Sequence, residues 1–320
     1  MKEGTYLEVP YWFMSMDPIH VGTGGYRLGR VDLSIVRDPL SGVPKIPATS
    51  LAGPARAFTA LQTGKYRWKD NNVEYSCAGR GGERGEKHCG RHDPACPVCI
   101  PYGFSKKAFS FQGLAQFFDS YIVFFPVATM AGPVWVTCPD SLKFSEKTLP
   151  KIARDKFLPL GTVDNKRLNF GFLLLKKEEE QSLDLGNALS NVPQYIKDKS
   201  VLLSDGCFPK VVNANLEVRT SVSIDPATGA AEKGALFTYE AIPRATVFRS
   251  EILYNDPQNF RVNGKEIKIE ESDSSKVPAD IEWVKRHVEK GLDLFQVFGI
   301  GGMNTRGMGR LKRISQEESA

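Results

Sequence analysis

Four of the chain's six cysteines fall in one run, Cys77-x11-Cys89-x6-Cys96-Pro-Val-Cys99, with His88 and His92 inside it. A Cys-x2-Cys step lets two thiolates bite one ion, and two further sulfur or nitrogen ligands complete a tetrahedron. The favoured ligands are Cys77, Cys89, Cys96 and Cys99, with His88 as the competitor for the place of Cys77. Residues 64–107 around them are glycine-rich, charged and poor in aliphatics. Such an insertion needs a source of folding energy other than a core, and structural zinc supplies one. Four or more potential ligands leave no evident open coordination position, so a structural ion is expected rather than a catalytic one. Cys138 and Cys207 sit in apolar settings and read as core thiols.

The second chemistry-bearing stretch runs from Gly29 to Arg56. It places a lone acid, Asp32, at a glycine-bounded turn ahead of the apolar patch Leu33–Val36. A proline-punctuated turn follows, then a helix start, Ala48-Thr49-Ser50, with hydroxyls where a helix needs acceptors. With Arg56 nearby, this start reads as an anion site. One acid close to an anion site suits phosphodiester chemistry. In isolation Asp32 is equally a turn-capping aspartate, and Asp38, before Pro39, reads as that kind. The loop Gly299-Ile-Gly-Gly-Met-Asn-Thr-Arg-Gly-Met-Gly309 brings backbone amides and Arg306 within reach of a phosphate, with Arg310 next to it. No Gly-Lys-Ser/Thr follows, so it is no P-loop, and it follows a helix, so it is no dinucleotide fingerprint. Its plain alternative is a turn-rich connection. Gly22–Gly29 is a weaker candidate of the same kind. His20 precedes it and is either a structural histidine or a general acid.

These residues need elements to position them. Thr5–Ser15 alternates with Leu7, Val9, Tyr11 and Phe13 on one side, which predicts a strand. Ser50–Gln62 predicts a helix with Pro54 in its first turn. Asp119–Val127 and Gly132–Cys138 predict a central hairpin. Lys143–Ser200 mixes helix-like pieces with a strand at Leu168–Leu175, and Lys176–Glu180 reads as a solvated loop. Val201–Ala214 reads as extended. Two strand-like arms flank Asp225-Pro-Ala-Thr-Gly229, a strong turn. Val262–Val277 reads as a surface loop. Ile281, Val284, Val288, Leu292 and Phe295 predict the clearest amphipathic helix, and Arg310–Ile314 a final strand. The pattern predicts an α+β fold with a ferredoxin-like (RRM-like) βαββαβ core. The net charge of +5, from 42 basic and 37 acidic residues, permits a polyanionic partner without demanding one. No apolar run approaches the ~20 residues of a membrane span. Met1–Tyr6 lacks a signal-peptide core, so a cytoplasmic protein is expected.

Gly29–Arg56 resembles the backbone subunit of type III CRISPR effector complexes, in the RAMP superfamily of RNA-binding proteins. Phe298–Arg310 is similar to that superfamily's C-terminal glycine-rich loop. Phe118–Pro139 resembles the Cmr-type (III-B) backbone subunit in particular, ahead of the related Csm type, and Arg219–Phe237 resembles the family's thumb hairpin. The resemblance implies a single RAMP domain over 1–320, with a zinc-binding insertion at 64–107, a protruding thumb within 201–250 and the glycine-rich loop at 299–310. It implies that copies of the chain polymerise along a guide RNA with other type III effector subunits and no membrane. It implies that complementary target RNA is cut at regular intervals, with magnesium or manganese, by attack of a 2′-hydroxyl. The family's cutting acid falls on Asp32, with His20 as a second catalytic candidate or an RNA contact. The RNA-binding residues fall on Lys45, Ser50, Arg56, Arg219, Met303, Asn304, Arg306 and Gly307. The family often has Ser-Leu-Lys-Gly where this chain has Ser50-Leu-Ala-Gly53, so one expected phosphate contact is missing. Two alternatives stand beside this reading. One is a guide-binding scaffold without cleavage. The other is a stand-alone RAMP endoribonuclease that processes guide precursor through a site centred on His20.

Overall fold

The computed structural model describes residues 5–24, 31–79, 86–178, 183, 185–232, 234–271 and 275–315. It is a mixed α+β fold. The chain forms two compact units of three segments each: Met1–Tyr11, Pro47–Asp119 and Ser250–Phe298 in the first, and Trp12–Ile46, Ser120–Arg249 and Gly299–Ala320 in the second.

The first unit is built on two helices. Ala48–Gln62 buries Leu51, Ala55, Thr59 and Ala60, and Ile281–Asp293 buries Trp283, Val284, Val288, Gly291 and Leu292. These stripes pack so closely that a Cβ on Gly291 would lie 2.4 Å from the Ala55 carbonyl oxygen. Phe58 closes the contact against Phe295 and Phe298, at ring separations of 6.1 and 5.3 Å. The late helix is capped as its sequence predicts, by Asp280, which accepts from the Trp283 N–H at 2.7 Å. The early helix is not. Its N-cap is Pro47, no side chain at the cap serves it, and the Ala48 N–H donates to Asp119 Oδ1 at 2.8 Å. A carboxylate from within the chain thus complements the positive end of this helix at Ala48. The helix also begins two residues early, which moves Pro54 into the second turn, where it forgoes a bond to the Ser50 carbonyl. Val262–Val277, expected as a loop, contains a short hairpin, Lys268–Glu270 with Lys276–Pro278, held by the pair Ile269 and Val277.

One sheet holds most of the second unit's strands, and its strands Tyr6–Ser15 and Val247–Asn255 are each divided between the two units. Along it the strands run Arg167–Phe170, Leu173–Lys177, Lys156–Pro159, Ser200–Leu202, Gly132–Thr137 and Ser120–Thr129, then Val247–Asn255, Tyr6–Ser15 and Leu311–Ile314. Ser120–Thr129 and Gly132–Thr137 form the expected hairpin, with Phe125 opposite Val136. The Ser120–Thr129 strand is buried from Ile122 to Phe125 without alternation, as a strand covered on both faces must be. Trp12, Phe124, Trp135, Leu158 and Leu202 share one core. The single strand expected at Leu168–Leu175 is two antiparallel strands turning at Gly171-Phe172. Val201–Ala214 is not extended throughout: after Ser200–Leu202 comes the helix Phe208–Ala214, which buries Phe208, Val211 and Val212. That i, i+3, i+4 face is too short to stand out as periodicity.

Glu217–Ser221 pairs with Phe237–Ala241 in a separate two-stranded ribbon, with Arg219 opposite Tyr239. At its far end Gly229 N–H donates to the Asp225 carbonyl at 2.8 Å, and Asp225 Oδ1 accepts from Ala227 N–H at 2.9 Å. This is the turn that Asp225-Pro-Ala-Thr-Gly229 predicts.

Candidate nucleic-acid interface and metal centre

The candidate metal centre is a cysteine cluster in the first unit. The sulfurs of Cys77, Cys89, Cys96 and Cys99 all lie within 4.8 Å of one another. The Cys77–Cys89 and Cys89–Cys99 separations are 3.6 and 3.7 Å. A tetrahedral zinc with Zn–S near 2.3 Å spaces its sulfurs by about 3.8 Å, so the donor set fits that ion. Cys77, Cys96 and Cys99 are buried. His88 is not part of the cluster: its Nε2 contacts the Gly79 carbonyl oxygen and lies 3.2 Å from Arg56 Nη2. The competition for the fourth position therefore falls to Cys77. Burial holds the His88 imidazole below the usual histidine range.

Arg56, expected at a phosphate, is bonded around this cysteine cluster. Its Nε donates to the Cys77 carbonyl at 2.7 Å and its Nη1 to the Gly103 carbonyl at 2.8 Å. A guanidinium committed to backbone oxygens on both sides of the cysteines ties the insertion to the helix Ala48–Gln62. Ser50, on the same helix, is half-buried, and its N–H donates to the Pro47 carbonyl at 2.8 Å.

Asp32 and His20 lie in the second unit, where three segments converge on the strand Phe237–Ala241. The segment after Asp32 runs beside that strand: Leu33 N–H donates to the Thr238 carbonyl at 3.0 Å, and Glu240 N–H to the Leu33 carbonyl at 3.2 Å. Asp32 is held at one oxygen. The Thr238 N–H and hydroxyl both donate to Oδ2, at 2.7 and 2.8 Å, and Asp32 N–H donates to Thr238 Oγ1 at 3.1 Å. Among the described residues no hydrogen bond reaches Oδ1. The Thr238 amide, then its hydroxyl, holds the Asp32 carboxyl below the usual range, so it is ionised at neutral pH.

His20 is buried. Its Nδ1 lies 2.7 Å from the Glu240 carbonyl oxygen, and its own carbonyl accepts from the Gly302 N–H at 2.8 Å. A Cβ on Gly301 would lie 2.5 Å from the His20 carbonyl oxygen, so glycine is required there by backbone-to-backbone packing. Gly309 N–H likewise donates to the Pro18 carbonyl at 3.0 Å. The amides of Gly302 and Gly309, expected to meet a phosphate, are thus spent on the chain itself. Met303 and Met308 of this loop pack with Leu33, Phe237 and Tyr239. Asn304–Arg306 is a short 3-10 turn ending at Gly307, and Arg306 is exposed, with its guanidinium 5.6 Å from the centre of the Phe237 ring. Arg310 is paired through two bonds to Asp17, at 2.6 and 3.0 Å.

Lys45 is also committed. It lies 3.5 Å from Asp38 and 5.5 Å from the centre of the Tyr121 ring, with its side chain only 15% exposed. Asp38 accepts from the N–H groups of Leu40 and Ser41 at 3.0 Å, the turn role its sequence predicts. Arg219 pairs with Glu217 at 2.5 Å on the ribbon. Gly29, Arg30 and most of Gly22–Gly29 lie outside the described residues, as do 80–85 of the insertion and 179–180 of the charged loop.

Two residues absent from the sequence-based site complete it. Thr238 anchors Asp32. Glu240, buried at 5% exposure, takes both Arg37 guanidinium nitrogens at 2.7 and 2.9 Å and the Ile35 N–H at 2.9 Å. A carboxylate within the apolar run Tyr239-Glu-Ala-Ile242 was the available signal. Removing one member of such a pair leaves a buried charge unmatched. Arg37→Met is expected to lower unfolding stability by about 3 kcal/mol, measured by urea denaturation; a loss below about 1 kcal/mol, the range of exposed pairs, would refute it.

A model of the RAMP superfamily matches residues 13–312. The chain belongs to the RAMP superfamily. Among its relatives is the CRISPR system Cmr endoribonuclease Cmr4 of Pyrococcus furiosus, 27% identical over 264 residues, covering 75% of this chain and 79% of that protein. The fold is similar to a type III-B Cmr-beta subunit chain from a complex bound to cognate target RNA, at a TM-score of 0.61 and 17% identity, covering 98% of this chain and 99% of the other. It is also similar to oligomeric Cmr4 from Pyrococcus furiosus, at 0.55 and 15%, covering 96% and 98%. This RAMP chain has no helix, among the described residues, long and apolar enough to cross a membrane.

Proposed function

We propose that this RAMP protein is the repeated backbone subunit of a Cmr-type type III CRISPR ribonucleoprotein, binding guide RNA and cutting complementary target RNA with Asp32. The observation that carries the reading is an ionised aspartate tied by one oxygen beside the superfamily's glycine loop. Its likeness to Cmr4, an endoribonuclease by name, supports it. The strand order Ser120–Thr129, Val247–Asn255, Tyr6–Ser15, Leu311–Ile314 supports the ferredoxin-like core. With the helices Ala48–Gln62 and Ile281–Asp293 between strands in sequence, the chain reads βαββαβ, and the third strand arrives only after the long stretch that carries the ribbon. Residues 201–250 are the thumb, 64–107 a zinc insertion bound through Cys77, Cys89, Cys96 and Cys99, and 299–310 the RNA-facing loop.

In the cleavage step a target 2′-hydroxyl attacks the adjacent phosphorus. The new O–P bond forms as the P–O5′ bond breaks, leaving a 2′,3′-cyclic phosphate and a 5′-hydroxyl. One proton leaves the 2′-oxygen and one reaches the 5′-oxygen. Asp32 is the group on this chain that takes or orders the first proton; a divalent cation, magnesium or manganese, would supply further charge stabilisation when bound. Buried and bonded at Nδ1, His20 is a structural support of the glycine loop in this reading. The partners are guide RNA, target RNA, further copies of the chain and other effector subunits. The experiment is cleavage of labelled complementary RNA by the complex purified with its guide. Cutting at regular intervals supports the proposal. Tight binding without cutting returns the non-cleaving scaffold, and cutting of guide precursor by the isolated chain returns the processing enzyme.

Guide binding is expected to be indifferent to sequence and steeply salt-dependent, because its contacts fall on phosphates and sugars. Arg306→Ala should flatten the slope of log K against log salt by about 0.7, the release expected of one single-strand contact. Arg56→Ala should instead destabilise the cysteine insertion and leave that slope unchanged. An unchanged slope in Arg306→Ala, or strong preference among unrelated guides, would contradict this mode.

A further inference from the structure

Asp32 does not hold itself in place. Its Oδ2 receives two donors from a single residue 206 positions later, the amide and hydroxyl of Thr238, and returns its own N–H to that hydroxyl oxygen. A hydroxyl that gives and takes within one closed exchange has its hydrogen direction fixed. With Oδ2 occupied, Oδ1 is the oxygen left for chemistry. The residue before Thr238 is Phe237, whose ring lies under the Arg306 guanidinium at 5.6 Å. One strand, Phe237–Ala241, therefore places an acid through Thr238 and a cation through Phe237. It is also the returning arm of the Glu217–Ala241 ribbon.

We infer that Thr238 is a positioning residue for target cleavage, through which the seating of this ribbon sets the orientation of Asp32. The inference rests on the proposed role of Asp32 as the cutting acid. If the returning strand shifts, the amide and hydroxyl leave Oδ2 together, and the carboxylate gains rotamers that do not face the reacting phosphate. A ribbon correctly lodged on bound RNA thereby becomes a condition for cutting rather than only a means of holding the target. Orientation of this kind is worth a large factor, since displacement of a catalytic group by about 1 Å can cost about a hundredfold in rate.

The test uses the complex assembled on guide RNA, with labelled complementary RNA and magnesium, under single-turnover conditions. Thr238→Val keeps the shape and the amide bond but deletes the hydroxyl. Its cleavage rate constant is expected to fall about 10- to 100-fold, with target affinity within about twofold of the parent, and Thr238→Ser should recover the rate to within about threefold. Should the Val variant fail to assemble, Thr238→Ala replaces it with the same expectation. Cutting at the parent rate without the hydroxyl overturns the inference. So does equal loss in the Ser variant, or loss of affinity in step with rate, since either marks a packing role. An Asp32→Asn control separates the two levels. If that variant cuts, the assignment of Asp32 itself has failed; if it is inactive while Thr238→Val is at parent rate, only the role of Thr238 has.

Discussion

Asp32→Asn is expected to slow target cleavage by about 10²–10⁴-fold while leaving guide binding and metal content unchanged. The geometry makes this substitution unusually clean. The Thr238 amide and hydroxyl both donate to Oδ2, and an asparagine oxygen can accept both. The asparagine NH2 then stands where Oδ1 was, so the position available for the reaction changes from a charged acceptor to a neutral donor. Nothing else in the second unit need move. In-line attack by a 2′-hydroxyl also requires one nucleotide to leave the regular duplex geometry, which the proposed thumb supplies. That contribution survives in the variant and accounts for residual cutting. Because Thr238 holds the Asp32 carboxyl below its usual range, the parent keeps its charged form from neutral pH well into acid. A fall in rate caused by protonation of Asp32 should appear only below the ordinary carboxylate pKa. The measurement is the single-turnover rate of the guide-loaded complex; parental cutting by Asp32→Asn would remove Asp32 from the mechanism.

Cys96→Ser with Cys99→Ser should reduce bound zinc from about one ion per chain to none and unfold the insertion. Zinc bound at structural four-thiolate sites contributes about 10–16 kcal/mol of apparent binding energy at neutral pH, far more than a short hairpin and a four-residue helix could supply. The damage should spread, because Cys99 begins the helix Cys99–Tyr102 and Arg56 bonds the carbonyls of Cys77 and Gly103 on either side of the cluster. Losing the centre releases that guanidinium and loosens the helix Ala48–Gln62. Elemental analysis of protein purified without added metal, with urea unfolding of parent and variant, checks both parts. A parent free of zinc, or a variant as stable as the parent, would refute the claim.

Local pattern alone determined much of this protein. The strand at Tyr6–Ser15, the hairpin Ser120–Thr137, the turn at Asp225–Gly229 and the helix Ile281–Asp293 are each specified within a few turns of chain, by alternation, by turn chemistry or by a stripe every three to four residues. The grouping of Cys77, Cys89, Cys96 and Cys99 was legible for the same reason, since ligand spacing is local. Tertiary structure decided which charged side chains are spoken for. Lys45 and Arg56 have the composition of phosphate contacts, yet one pairs with Asp38 and the other with backbone carbonyls around the cysteines. Hydroxyls at a helix start predict a cap, yet Asp119, 71 residues away, provides it. Thr238 carries no motif at all, and Glu240 shows in the sequence only as a carboxylate within an apolar run. Their importance comes from the return of a distant strand alongside Asp32, and a contact across 206 residues leaves no periodic trace in either segment. Short-range order is written in the spacing of residue types; the partner that satisfies a given charge or hydroxyl exists only once the chain has folded back on itself.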